Sequence, residues 1–151
     1  MHITQQEGEE LRTQVRGALG AHYLWMARLR AAAKYGSTEF DANDVRHDDR
    51  CSIGHWLAHD IPRSLTYSEH FLRSKDLHRQ FHEEIANVIR LIQRNNLVAA
   101  RAALEPQGDC GRVARDLEHA LKDWMVVGLS ARTHGVVDRA RERVLSRLQA
   151  S

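Results

Sequence analysis

The fold is decided by residues 11–33, LRTQVRGALGAHYLWMARLRAAA, in which side chains suited to one buried face return at steps of three and four. These positions are Leu11, Val15, Ala18, His22, Trp25, Leu29 and Ala33. Because an α-helix turns once every 3.6 residues, such steps place the side chains in one stripe. The stretch therefore predicts a long amphipathic helix, with His22 on its buried face.

A polar stretch and a short helix follow. Residues 36–49 are polar, rich in Asp and Asn, and are expected to form a loop. Asp48 or Asp49 is a suitable N-cap for a short helix over about residues 51–59, and Pro62 ends it.

Two further long helices complete the expected fold. The first runs over about residues 67–94, and its apolar stripe holds Phe71, His78, His82, Ile85, Ile89 and Ile92. After Asn95 and Asn96, residues 97–104 add two turns. The last helix begins near Gly111, with a stripe made of Val113, Leu117, Ala120, Trp124 and Val127. No strand-like alternation appears, so we expect an all-α, antiparallel bundle of four to five helices.

The stripe of the last helix changes register around Gly135, where Val137, Ala140, Val144 and Leu148 begin a second one. This change predicts a kink, or a tail that leaves the bundle. We therefore divide the chain into a helical bundle over residues 1–130 and a basic helical tail over residues 131–151. The excess of arginine in the tail is typical of a solvated helix face.

Composition excludes several classes of protein. The chain is 42% hydrophobic and 28% charged, with a net charge of +2 and no basic cluster that would indicate nucleic-acid binding. No segment approaches the roughly 18 apolar residues of a membrane span, and the acidic, polar N-terminus is unlike a signal peptide. We therefore expect a cytoplasmic protein, in which Cys51 and Cys110 do not form a structural disulfide.

Histidine spacing indicates a metal site. His78 and His82 are four residues apart on an apolar stripe, so two imidazoles reach the same point. His55 and His59 have the same spacing, but they flank Trp56 and Leu57, which are better core contacts. The buried position of the first pair is what favours it as a ligand pair.

His22 and Cys51 are the remaining candidates. A single histidine on a stripe is usually a hydrogen-bonded core residue, and a free cysteine is usually a small buried side chain. Three histidines and a cysteine facing one interior favour a shared metal instead, because unpaired buried imidazoles each cost about 1–3 kcal/mol. Arg46 and Arg50 near Cys51 would favour the thiolate that zinc binds.

In order and spacing, these residues resemble the motifs of the bacterial chemoreceptor zinc-binding (CZB) domain. That family is marked by a His followed two residues later by an apolar residue, by Cys-x-apolar-Gly-x-apolar, and by His-x-x-x-His. This chain has His22-Tyr23-Leu24, then Cys51-Ser52-Ile53-Gly54-His55-Trp56, then His78-Arg79-Gln80-Phe81-His82.

The resemblance implies a dimeric helical bundle in which His22, Cys51, His78 and His82 hold one tetrahedral Zn²⁺. It also implies a regulatory role, since related domains occur on cytoplasmic chemoreceptors and diguanylate cyclases and respond to zinc or to oxidants such as hypochlorous acid. A receptor hairpin or cyclase domain is not present in these 151 residues. Four protein ligands leave no open position for substrate, so a sensor is expected rather than an enzyme.

Three alternatives remain open at this point. A hemerythrin-like di-iron bundle that binds oxygen would use His119 and Asp123, although Glu83, Glu84 and Glu118 lie off the predicted stripes. A metal-free dimerisation or adaptor module would act through the basic tail. A catalytic zinc site would need a dispensable ligand and a nearby Glu as base. Cys110 is expected to be a loop residue outside the motif, and either a resolving thiol or, as we favour, a bystander.

Overall fold

The computed structural model describes residues 4–149, with the side chains of Ser64 and residues 128–142 excepted. Within that part the chain forms helices and turns without strands, which confirms the predicted all-α bundle. The α-helices are α1 (Gln5–Tyr35), α2 (Ala42–Val45), α3 (Ser52–His55), α4 (Glu69–Gln93), α5 (Leu97–Leu104) and α6 (Asp109–Gln149). None of the helices in the described residues combines the length and apolarity needed to cross a membrane.

Both ends of α1 are set by local hydrogen bonds. Thr4 and Glu7 cap the first turn reciprocally, and Gly36 ends the helix with a left-handed φ of 74°. The predicted stripe is buried along the whole helix, except that Trp25 is only partly buried. The periodicity therefore placed His22 in the interior correctly.

Helix α6 runs antiparallel to α1. The Tyr23 hydroxyl of α1 donates a hydrogen bond to Glu118 in the third turn of α6. Arg30, two turns further along α1, lines a cavity together with Pro106, which precedes α6. Later residues of α1 therefore lie beside earlier residues of α6, as in an antiparallel pair.

Helix α6 is also antiparallel to α4. The Phe71 ring, near the start of α4, lies 6.0 Å from the Trp124 ring. Towards the other end of α4, the charge of Glu84 acts on Cys110 in the first turn of α6. Consequently α1 and α4 run in the same direction, and α6 packs against both.

The segment between α1 and α4 is more structured than the sequence predicted. Residues 36–49, expected to be a loop, contain α2, and a 3₁₀ turn covers Asp48–Arg50. Neither Asp48 nor Asp49 caps the next helix, because Cys51 occupies that position. Helix α3 continues directly into a π-helical turn, Trp56–Asp60.

Helix α6 is unbroken through Gly135, where a kink or a departing tail was predicted. The backbone is continuous across residues 130 and 131, and it neither supports nor excludes the division into a bundle and a tail. The assignment of residues 131–151 as a tail depends on their side chains. Those of residues 131–142, and residues 150–151 altogether, lie outside the described part of the chain. The two-part organisation stays a prediction.

Candidate metal centre

Three of the four predicted ligands meet in the interior. Cys51 Sγ lies 3.2 Å from His78 Nε2, which in turn lies 3.1 Å from His82 Nε2. One donor atom from each residue falls within 4.8 Å of the other two. Cys51 is half-buried, whereas both imidazoles are almost completely buried. Two helices therefore bring a thiol and two ring nitrogens to one point.

The tautomer of His82 is fixed by a hydrogen bond to the backbone. Its Nδ1 lies 2.7 Å from the Val45 carbonyl oxygen. Because a carbonyl oxygen can only accept, Nδ1 carries the proton and donates it. The lone pair of the neutral ring is then on Nε2, which faces His78. This is the arrangement that orients metal-binding histidines in proteins.

Cys51 is held by the start of α3. Its sulfur accepts a hydrogen bond from the Gly54 backbone N–H at 3.2 Å. A Cβ atom on Gly54 would overlap the Asp48 carbonyl, so only glycine allows this approach of the two backbones. The motif cysteine and glycine are therefore parts of one cap.

The electrostatics of Cys51 differ from the sequence-based expectation. Burial raises the pKa of its thiol, and the backbone N–H groups of Gly54 and Ile53 oppose that shift. Neither Arg46 nor Arg50 contributes to it; the Arg50 guanidinium instead pairs with Asp44 at 3.1 Å, in solvent. The prediction that these arginines favour the thiolate was wrong, because both side chains are exposed and solvent screens their charges.

His22 lies beside the three-residue group but does not join it. It is 2% exposed, and its ring centroid is 4.8 Å from that of Phe81, which lies between His78 and His82 in α4. Its charge would lower the pKa of His78, so the two rings are neighbours. Its Nδ1 is buried without a hydrogen-bond partner, a situation that costs about 1–3 kcal/mol.

All three histidines are held in the neutral form. Burial, and to a lesser extent the neighbouring rings of His82 and His22, lower the pKa of His78 to about 3. Burial also lowers the pKa of His22 and of His82. Neutral rings have a free lone pair at pH 7, which a metal ion requires.

The donor set fits zinc. With bond lengths of about 2.0–2.1 Å to nitrogen and about 2.3 Å to sulfur, the ligands of a tetrahedral ion lie about 3.4–3.6 Å apart. The two separations from His78 Nε2, 3.1 and 3.2 Å, differ from this by a few tenths of an ångström, and the third pair of donor atoms lies within 4.8 Å. Soft sulfur and imidazole without a carboxylate are typical of Zn²⁺.

Residues 22–89 match the family model of the chemoreceptor zinc-binding domain. The resemblance drawn from the three motifs is thereby confirmed. The match begins at His22 and includes Cys51, His78 and His82. No curated protein and no solved structure matches the chain significantly. Together, the family match and the Cys51–His78–His82 cluster indicate a zinc-binding signalling domain.

The other candidate residues lie away from the Cys51–His78–His82 cluster. His55 and His59 are exposed, while Trp56 and Leu57 between them are buried, as predicted. His119 and Asp123, which a di-iron site would require, are both exposed, and Asp123 pairs with Arg73. The described residues therefore do not gather the bridging carboxylates of a di-iron centre.

Cys110 is not a loop residue. It lies in the first turn of α6 and is fully buried. Burial raises the pKa of its thiol to about 12, so the reactive thiolate is scarce at neutral pH. This environment supports its interpretation as a bystander.

Two features of the centre were not foreseen from the sequence. The Val45 carbonyl that orients His82 belongs to a stretch predicted to be a loop. Cys51 is the N-cap of α3, a position predicted from the sequence for Asp48 or Asp49. The Cys-x-x-Gly spacing was the available signal for the second, since an N-cap side chain accepts from the backbone N–H three residues later.

Proposed function

We propose that the domain binds one Zn²⁺ through His22, Cys51, His78 and His82, and that it works as a sensor. The observation that carries the proposal is the convergence of Cys51, His78 and His82. Their donor atoms lie within 4.8 Å of one another, and His78 Nε2 is 3.2 Å from the sulfur and 3.1 Å from His82 Nε2. The buried, unpartnered Nδ1 of His22 beside them supports the fourth ligand. When bound, zinc would act as a Lewis acid that accepts a lone pair from each of these side chains.

A regulatory role follows from the number of ligands. Four protein ligands complete a tetrahedral coordination shell, so no position is left for substrate or for an activated water. Structural zinc sites are worth about 10–16 kcal/mol at neutral pH, whereas a domain of this size has a total stability of about 5–15 kcal/mol. Zinc occupancy is therefore able to decide whether α1, α3 and α4 pack together.

The sensing element in this proposal is α3, which has only four residues and begins at Cys51. Zinc loss would remove the ion that joins the sulfur to the imidazoles. The sulfur would then be held only by hydrogen bonds with the Gly54 N–H, the Asp48 carbonyl and His78. Oxidation of Cys51 would do the same. In that reaction the sulfur takes up an oxygen atom and becomes a sulfenic acid, while the oxidant leaves as chloride or water.

Output would pass to a partner. We propose a cytoplasmic homodimer whose signal reaches a chemoreceptor or a diguanylate cyclase, in trans or through a domain outside these residues. The family to which residues 22–89 belong supports this. The end of α6 supports the dimer as well, because Val144, Leu145 and Leu148 expose 53–68% of their surfaces there.

Oxidant sensing is tested on zinc-loaded protein in which Cys110→Ala removes the second thiol. Stepwise addition of hypochlorous acid, and separately of hydrogen peroxide, is expected to release zinc in proportion to Cys51 oxidation. A chromophoric chelator measures the zinc, and peptide mass spectrometry measures the oxidation. Protein that keeps both its zinc and an unmodified Cys51 would contradict oxidant sensing and leave the zinc site itself untouched.

A further inference from the structure

A hydrogen-bonded carboxylate lies next to His22 on the opposite helix. Oε1 of Glu118 accepts a hydrogen bond from the Tyr23 hydroxyl at 2.5 Å and another from Lys122 Nζ at 2.7 Å. Its side chain is only 25% exposed. These bonds, that of Lys122 first, lower the pKa of Glu118, so the group is an anion at neutral pH.

Glu118 acts on the imidazole of His22. Burial lowers the pKa of His22 most strongly; the charge of Glu118 and the nearby Ala114 backbone oppose this shift, and Arg30 adds to it weakly. Two of these three groups belong to α6. All of them line one cavity of about 350 Å³ between α1 and α6, to which His22 also contributes. On the α4 side, the ring of Phe81 lies 4.8 Å from that of His22.

Metal-binding histidines usually donate their second ring N–H to a carboxylate or a backbone carbonyl, which fixes the ring and strengthens the ligand. His82 has such a partner in Val45. The groups available to His22 are the Ala114 carbonyl and the Glu118 carboxylate. A ring that shares its lone pair with a cation becomes a better N–H donor, and its attraction to a nearby anion increases.

We propose that Glu118 is the positioning residue of His22 and that it links zinc occupancy to α6. This rests on the proposed function, because it assumes that His22 is a ligand. In the zinc-loaded protein, the electrostatic attraction between His22 and Glu118 holds residues 114–122 against α1. Without zinc this attraction weakens, and the looser packing of residues 114–122 affects α6, the helix that continues to Gln149.

The variant that tests this is Glu118→Gln, which keeps the size of the side chain and removes its charge. Asp123→Asn is the matched control, since Asp123 is an exposed carboxylate on the same helix that pairs with Arg73. Tyr23→Phe removes one hydrogen bond but keeps the carboxylate. We expect zinc affinity, measured by chelator competition, to fall about 10–100-fold in Glu118→Gln. We expect a smaller loss in Tyr23→Phe and none in Asp123→Asn.

Amide hydrogen exchange provides the second readout, and it compares zinc-loaded with metal-free protein for each variant. In the wild type, zinc is expected to slow exchange severalfold across residues 114–122. At saturating zinc, Glu118→Gln should lose this zinc-dependent difference, which mere destabilisation of the helix would not remove.

Wild-type affinity and an unchanged exchange difference in Glu118→Gln would overturn the inference while leaving the zinc site intact. Wild-type protein that binds no zinc would instead overturn the proposed function.

Discussion

Replacing Cys51 with alanine is expected to reduce bound zinc from one ion per chain to almost none after dialysis. Cys51 supplies the thiol that lies within 4.8 Å of the two ring nitrogens. Loss of an outer-shell partner alone lowers metal affinity about 10–100-fold, so loss of a ligand should cost at least 100-fold. Elemental analysis and chelator competition measure the two quantities.

The same substitution should remove most of the stabilisation by zinc. At a free zinc concentration 1,000 times Kd, binding adds about 4.1 kcal/mol to the free energy of unfolding. For a chain of this length, that raises Tm by about 8–16 °C, at about 2–4 °C per kcal/mol. An affinity 100-fold weaker leaves about 1.4 kcal/mol at the same zinc concentration.

Two controls separate loss of the ligand from loss of the fold. Cys51→Ser keeps a side chain that can accept from the Gly54 N–H, so α3 retains its cap while the zinc affinity still falls. Cys110→Ala removes the other thiol, which lies outside the centre, and should leave zinc binding unchanged. If Cys51→Ala retained a full zinc ion, the assignment of Cys51 as a ligand would be wrong.

Metal-free protein is expected to lose stability steeply as the pH falls below about 6.5. His78 has a pKa of about 3 in the folded state, while in the unfolded chain an ordinary value of about 6.5 applies. Between these values the unfolded state binds a proton that the folded state does not. The free energy of unfolding therefore falls by about 1.4 kcal/mol per pH unit for this residue.

Over two pH units His78 alone would cost about 3 kcal/mol, a large part of a stability of about 5–15 kcal/mol. The lowered pKa values of His22 and His82 act in the same direction. Urea unfolding of chelator-treated protein at several pH values from 7 to 4.5 measures the slope. His78→Gln should flatten it, whereas His55→Gln, at an exposed position, should not.

Equal slopes in the wild type and in His78→Gln would mean that His78 titrates normally in the folded protein. The cluster would then be more hydrated than its burial indicates. This outcome would also remove the argument that the three rings are ready to bind a cation at neutral pH.

The parts of the fold that could be predicted are those decided by helical periodicity. Stripes in α1 and α4 placed His22, His78 and His82 on buried faces, and all three are buried. Periodicity says nothing about helices of four residues, so α2 and its Val45 carbonyl were missed. A glycine in a helix costs only about 1 kcal/mol, which explains why Gly135 does not interrupt α6.

The three residues that cluster could be predicted from the sequence, but the distances between them could not. Motif order identified four residues, and packing alone determines that three of them meet within 4.8 Å while His22 lies beside them. The position of His22 relative to Glu118 depends on how α6 packs on α1. Tyr23 and Glu118, which are hydrogen-bonded, are 95 residues apart in the sequence. No local pattern encodes such a contact.

The most direct test of the account is X-ray absorption at the zinc edge of the purified, zinc-loaded wild type. The account predicts four ligands: three nitrogens at about 2.0–2.1 Å and one sulfur at about 2.3 Å. In His22→Ala the sulfur should remain and one imidazole should be lost. A spectrum without sulfur, or a protein that contains no zinc after purification from zinc-supplemented medium, would contradict it.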